Sequence, residues 1–321
     1  MADAVQLVGD IGGTNARFGL IEPATGGLRD QRVLPSAAFP DLAGAASHYL
    51  GQVGQPNVRD AAVAVAAPVL GDRVRFTNSL WAFSIDDTRR RLGLDRLEVI
   101  NDFTALALAL PHLLPGETRQ IGGGTPAPGA AVALIGAGTG LGVSGLLPGS
   151  GGWVPVTGEG GHTAFSPVGE REHAVLKHLW QHFDHVSTER LLQGAGIVLL
   201  HETICAIDGR TRRPLSQEEI TREALAGSDP DCVEVLDLFC GILGTASANL
   251  AVTLGARGGV YIGGGIVPSL GPAFDRSAFR PRFEAKGRYR DYMAAIPTYV
   301  ITADNPALRG VARLLSTPRA G

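Results

Sequence analysis

The sequence predicts an α/β fold in two lobes, and three observations carry that expectation. Continuous apolar runs such as AAVAVAAPV (61–69) have the form of strands covered on both faces. Strand-like and helical stretches are mixed along the chain. A Gly/Thr turn between two strand-like segments occurs twice, at GDIGGTNARFGLI (9–21) and at GAGTGLGVSGLL (136–147). With 321 residues the chain is long enough for two domains, each with its own core.

The elements follow in order. VQLVGD (5–10) and ARFGLIEP (16–23) read as strands joined by the first glycine turn, a hairpin-like opening. AAVAVAAPV is an interior strand and LEVIND (97–102) another, after which FTALALAL (103–110) begins a helix. AVALIGAGTGLGVSGLL (131–147) repeats the opening pattern. Helical stretches are expected at 170–183, 189–204, 216–226 and 231–256. GGVYIGGGIV (258–267) reads as a strand ending in glycines, TYVIT (298–302) as a late strand and PALRGVARLL (306–315) as a closing helix. The most apolar long stretch, GILGTASANLAVTLGA (241–256), is short for a bilayer and rich in small polar residues, so it reads as a buried helix.

Composition narrows the function classes. Hydrophobic residues make up 45% and charged residues 18%, as in an ordinary soluble globular protein. A net charge of −3 implies no broad basic surface for nucleic acid or anionic lipid. The three cysteines, Cys205, Cys232 and Cys240, are an odd number without CxxC spacing, which points to a reducing compartment. MADAVQLVGD carries neither a basic segment nor a long apolar one, so a cytoplasmic location is expected. The 44 glycines are roughly twice the usual ~7%. They cluster in short loops, as backbone-mediated ligand contacts require.

What the glycine loops bind follows from what they lack. A Walker loop needs a lysine after its glycines, and the only lysines, Lys177 and Lys286, follow no glycine loop. A dinucleotide fold needs GxGxxG opening a helix; GAGTGLG has Leu141 at the last required position and runs on into a strand-like segment. A phosphate site of backbone N–H groups and hydroxyls remains, and it must draw positive charge from a metal ion. Asp10 then faces Mg²⁺, directly or through water, or else caps its own turn. The two loops could face one another across a cleft, one from each lobe.

Asp102, at a strand end in VINDFTA, suits a base for an attacking hydroxyl. Asn101 and Asp102 could equally cap the helix that follows. In VTGEGGHTAFSP, Glu159 and His162 are three apart on a glycine turn; polyol recognition suits the pair better than metal ligation, since no HExxH helix accompanies them. Glu189 in STERLLQG is near a helix start, where the macrodipole also favours an acid. His178, His182 and His185 fall at i, i+4 and i+7, either a metal-binding or a solvated face.

Seven motifs, LVGDIGGTNARFGL, TNSLWAFS, LEVINDFTALALA, GAGTGLGV, GEGGHTAFSP, STERLLQG and GGVYIGGGIVP, occur in order from about residue 5 to 310. In this order they closely resemble the bacterial ATP-dependent glucokinases of the hexokinase/actin-like superfamily. The cysteine-rich zinc motif common in the ROK sugar kinases is absent. The resemblance implies an actin-like ATPase (ribonuclease H-like) fold, two lobes with a central cleft. Its small domain would span 1–111, completed by a C-terminal helix at 304–321, and its large domain 112–303. It implies a first phosphate loop of Gly9, Asp10, Ile11, Gly12, Gly13 and Thr14, with Asp10 assisting Mg²⁺ through water. Gly138, Thr139 and Gly140 would form the second phosphate loop, and Gly263, Gly264 and Gly265 would lie near the adenosine. Asn101, Asp102, Glu159, His162 and Glu189 would contact glucose, with Asp102 the general base for the 6-hydroxyl. The substrates implied are ATP and glucose, and the assembly a homodimer. A kinase for fructose or mannose, or a non-catalytic sugar sensor, would share much of this pattern.

Overall fold

The computed structural model describes residues 5–22, 24–76 and 81–316. The TNSL portion of TNSLWAFS (77–80) and the last part of the expected 304–321 segment (317–321) lie outside the described residues. The chain divides into two compact units, Met1–Leu114 with Ala303–Gly321, and Pro115–Thr302. Each is a mixed α/β unit built on one large sheet.

The first unit contains β1 (Val5–Ile11), β2 (Asn15–Ile21), β3 (Leu28–Pro35), β4 (Val58–Val65), β5 (Arg73–Arg75), β6 (Ala82–Ser84) and β7 (Arg96–Asn101). The main sheet has the order β3-β2-β1-β4-β7, with β5 and β6 paired separately. β1 runs antiparallel to β2 and parallel to β4, which is parallel to β7. Alternate side chains enter opposite layers, which is why the strand sequences are apolar throughout rather than alternating. Leu7, Ile11, Val63 and Val65 pack with Tyr49 of the helix Leu42–Gln52. Val8, Ala62 and Ala64 pack with Ala105, Leu308 and Val311 from the helices Asp102–Ala109 and Ala307–Ser316.

The second unit contains β8 (Thr118–Ile121), β9 (Val132–Ala137), β10 (Leu141–Gly149), β11 (Gly152–Val156), β12 (Gly259–Gly263) and β13 (Thr298–Ile301), in the order β11-β10-β9-β12-β13-β8. A hairpin, β9–β10, again leads into parallel strands, β9–β12 and β12–β13. The sequence echo therefore has a topological counterpart: each Gly/Thr turn joins the first hairpin of its own sheet. The helix Pro230–Leu254 starts with Asp229 accepting the amides of Asp231 and Cys232, and it is largely buried. Its apolar length is that of a core helix, as its small polar residues predict.

Several expected boundaries move. The 170–183 stretch is helical only over Gly169–Leu179. The 189–204 stretch is two helices, Thr188–Leu191 and Gly194–Ile207, because Gln193 is extended between them. β12 stops at Gly263, and Ile266–Ser269 is a helical turn. The strands β3, β8 and β11 and the helix Leu42–Gln52 carry weak patterns and are unforeseen.

Candidate active site

The first carboxylate arises from the β1–β2 hairpin. Gly12 donates its N–H to the carbonyl of Asn15 at 2.8 Å, and Ser36 anchors the turn by donating its amide to Thr14 O and its hydroxyl to Gly12 O. Ile11 is buried in the core, so only its backbone can face a ligand, whereas Gly12 and Gly13 are half-buried and Thr14 is exposed. Asp10 lies opposite Arg17 in the hairpin register, with Nη1 of Arg17 3.6 Å from its Oδ2. Burial raises the Asp10 pKa, and the Arg17 charge opposes that rise only in part.

The second carboxylate stands where β7 becomes a helix. Asn101 is the N-cap: its Oδ1 accepts the amides of Phe103 at 2.9 Å and Thr104 at 3.3 Å. Asp102 is the first helical residue and accepts the Phe103 amide at 2.9 Å. The capping reading thus holds for Asn101. Asp102 is different, because its pKa is pushed up to about 6, by burial first and by the negative charge of Asp10 second. The Phe103 amide and Asn101 side chain pull the other way. A carboxylate titrating near 6 is matched to proton transfer at neutral pH.

In the second unit, four motif segments meet at the carboxyl ends of β9 and β12, the end where open α/β sheets hold ligands. The turn Gly138–Gly140 closes with a 2.8 Å bond from Gly138 N–H to Gly140 O, and Gly138 O accepts the Gly194 amide that opens the next helix. Glu189 reaches this turn by accepting the Leu141 amide at 2.9 Å, and its other oxygen is 3.8 Å from Nδ1 of His162. Residues 163–165 and 186–188 run side by side through Thr188 N–H to Thr163 O and Phe165 N–H to Val186 O. Any side chain at Gly161 would strike the Leu141 carbonyl, so GEGGH must carry glycine there. Gly264, at φ +77°, is pressed against the Ala137 carbonyl and brings Gly263–Gly265 to the end of β9. Glu159 is exposed at the start of the same turn, its carbonyl accepting the His162 amide.

The helical histidine pattern does not form. The helix ends at Leu179, leaving His182 and His185 outside it, and His185 Nε2 is 2.9 Å from the His162 carbonyl. Among the described residues no cluster of three or more His, Cys, Asp or Glu could hold a metal ion. Asp10 nevertheless fits an Mg²⁺ that arrives with phosphates: it is a half-buried carboxylate whose one ion pair, to Arg17, is loose at 3.6 Å, and magnesium is usually held by one or two carboxylates plus substrate oxygens. Arg17, which the sequence reading passed over, is legible in hindsight, since counting residues back from the turn places it across from Asp10.

The profile of the family described as Glucokinase matches residues 7–318. A curated glucokinase from Chromobacterium violaceum is 53% identical over 311 residues, covering 97% of this chain and 89% of its own. The chain belongs to the glucokinase family. A crystal structure of a glucokinase from an Antarctic psychrotroph superposes with a TM-score of 0.87 at 35% identity, covering 98% of this chain and 99% of that one. The actin-like two-unit α/β architecture expected from the motifs is thus the fold of a glucokinase neighbour. The "Bifunctional protein glk" of Paraburkholderia xenovorans is 48% identical over 316 residues, and the chain spans 49% of that longer relative.

Proposed function

We propose that the protein transfers the γ-phosphoryl group of ATP to O6 of glucose, giving glucose 6-phosphate and ADP. The observation that carries this reading is Asp102, a half-buried carboxylate lifted to about 6 in the family's IND motif by desolvation and by the negative charge of Asp10 in the first glycine turn. Asp102 accepts the 6-hydroxyl proton as O6 bonds to phosphorus and the bond to the ADP oxygen breaks. Asn101, Glu159, His162 and Glu189 orient the remaining hydroxyls. Glu189, fixed by the Leu141 amide beside the second glycine turn, ties sugar recognition to that turn.

Backbone amides of Gly9–Thr14 and Gly138–Gly140 hold the phosphates, and Gly263–Gly265 approach the adenosine. Asp10 is the residue that would hold Mg²⁺, through water; bound with ATP, the ion neutralises charge that develops on the phosphoryl oxygens. The same reading makes the protein a cytoplasmic homodimer acting at the entry to glycolysis. ADP production measured with and without glucose, across a panel of hexoses and with Mg²⁺ titrated, tests it. Glucose-independent ADP formation at the full rate, or a preference for fructose or mannose, refutes it.

A further inference from the structure

A polar pocket of about 450 Å³ is lined among others by His162 and Glu189, two of the residues assigned to the sugar, and by Arg190 and Gln193. His182 and His185 add imidazoles to its wall. Arg190 is unusual there. Its guanidinium carbon sits 3.9 Å above the Phe183 ring centroid, and its Nε is buried without a hydrogen-bond acceptor. It makes no ion pair among the described residues. Leaving a buried donor unpaired costs ~1–3 kcal/mol, more for a charged group. Stacking fixes the plane of the guanidinium; Nε is enclosed, so an acceptor in the pocket meets the terminal Nη groups.

The acids nearby do not fill that role. Glu189 accepts the Leu141 amide and lies against His162. Asp184 also lines the pocket but is exposed. His185 donates Nε2–H to the His162 carbonyl, so its neutral ring offers only an acceptor at Nδ1 and does not serve an anion. The wall sets three donor groups, the Arg190 guanidinium, the Gln193 carboxamide and the Ser187 hydroxyl, beside the carboxylates of Glu189 and Asp184.

We propose that this pocket is an oxyanion site that takes a phosphate group beside the sugar residues. A tetrahedral phosphate offers several acceptor oxygens to a fork of donors, which is the match that favours arginine over a single point charge. The phosphate comes either as the free ion or as the phosphoryl group of a sugar phosphate. Its effect on catalysis rests on the glucokinase reading, through His162 and Glu189. Bound phosphate weakens glucose binding because both residues border both ligands.

Calorimetric titration of the full chain with inorganic phosphate, at ionic strength held constant with chloride, reads the site without turnover. We expect saturable binding, with a glucose KM that rises with phosphate and not with chloride. Arg190→Gln loses at least ~10-fold in phosphate affinity. Gln193→Glu, which sets a carboxylate against the anion, loses a similar factor, and melting curves check that both variants fold. Glucose 1-phosphate and glucose 6-phosphate titrations identify the source. An Arg190-dependent gain of at least ~10-fold over inorganic phosphate assigns a sugar phosphate, and equal affinity assigns the free ion. Absence of saturable binding, or equal binding in folded variants and parent, overturns the site. If glucose is not phosphorylated in chloride buffer, the kinase reading fails and calorimetry still decides the pocket.

Discussion

Replacing Asp102 with Asn should stabilise the fold while abolishing most of the activity, and the pH dependence of the stabilisation identifies its cause. An ordinary aspartate titrates near 3.8, whereas Asp102 in the folded chain is pushed up to about 6. The folded state therefore holds this proton more tightly than the unfolded state. Below about pH 4 both states are protonated and the carboxyl carries no electrostatic penalty. As pH rises from 4 to 6 the unfolded chain releases the proton first, so stability falls by ~1.4 kcal/mol per pH unit and then levels off ~3 kcal/mol lower. Asparagine is isosteric, keeps an oxygen for the Phe103 amide and carries no charge. Asp102→Asn is thus expected to be ~3 kcal/mol more stable at pH 7.5 and about half that at pH 5. Urea unfolding without nucleotide or metal, followed by tryptophan emission, measures this, because Trp81 is buried in the same unit whereas Trp153 and Trp180 are exposed. Turnover should fall by at least ~10²-fold with glucose binding largely kept. A gain independent of pH, or no gain at pH 7.5, refutes charge burial as the source. A near-parental kcat removes Asp102 as the base.

The other expectations test the surroundings of that carboxylate. Parental kcat/KM should lose activity on acidification through about pH 6, and Asp10→Asn should move that limb to lower pH by removing the like charge, visible in a pH profile even at reduced rate; an unmoved limb contradicts the coupling. Glu189→Gln keeps an acceptor for the Leu141 amide and loses the charge facing His162, so the KM for glucose should rise while that for ATP holds; the opposite split would place Glu189 at the nucleotide. Gly161→Ala drives a methyl into the Leu141 carbonyl and should cost ~1–3 kcal/mol in a melting experiment and raise the glucose KM by displacing His162. An alanine variant with parental melting and KM would mean that the GEGGH turn relaxes freely.

What was readable in the sequence is what local chemistry determines. Both Gly/Thr turns sit between apolar runs and emerge as the β1–β2 and β9–β10 turns, because alternation and turn chemistry act over a few residues. β3 and β11 were not readable: each lies at the edge of its sheet and is largely exposed, so neither has an apolar run to announce it. Gln193 broke an apparently continuous helix because the break is set by the Gly138 carbonyl that captures the Gly194 amide, a partner far away in the chain.

The candidate site divides along the same line. Residue types and spacing pointed to Asp10 as a charge in a phosphate turn, but its effect on Asp102 depends on β1 and β7 flanking β4, a neighbour relation that only sheet order supplies. Asn101 shows how a local and a remote role can share one side chain: Oδ1 is spent on the helix amides, and its amide group steadies the Asp102 carboxylate. The cap and the contact with Asp102 therefore coexist on one side chain. Removing the Asn101 amide while keeping its capping oxygen, as in Asn101→Asp, should preserve the helix start yet raise the Asp102 pKa further, because a third negative charge replaces a donor. The acid limb of kcat/KM would then move above pH 6, in the direction opposite to that of Asp10→Asn, and a shift the same way in both variants would break the electrostatic account of the pair.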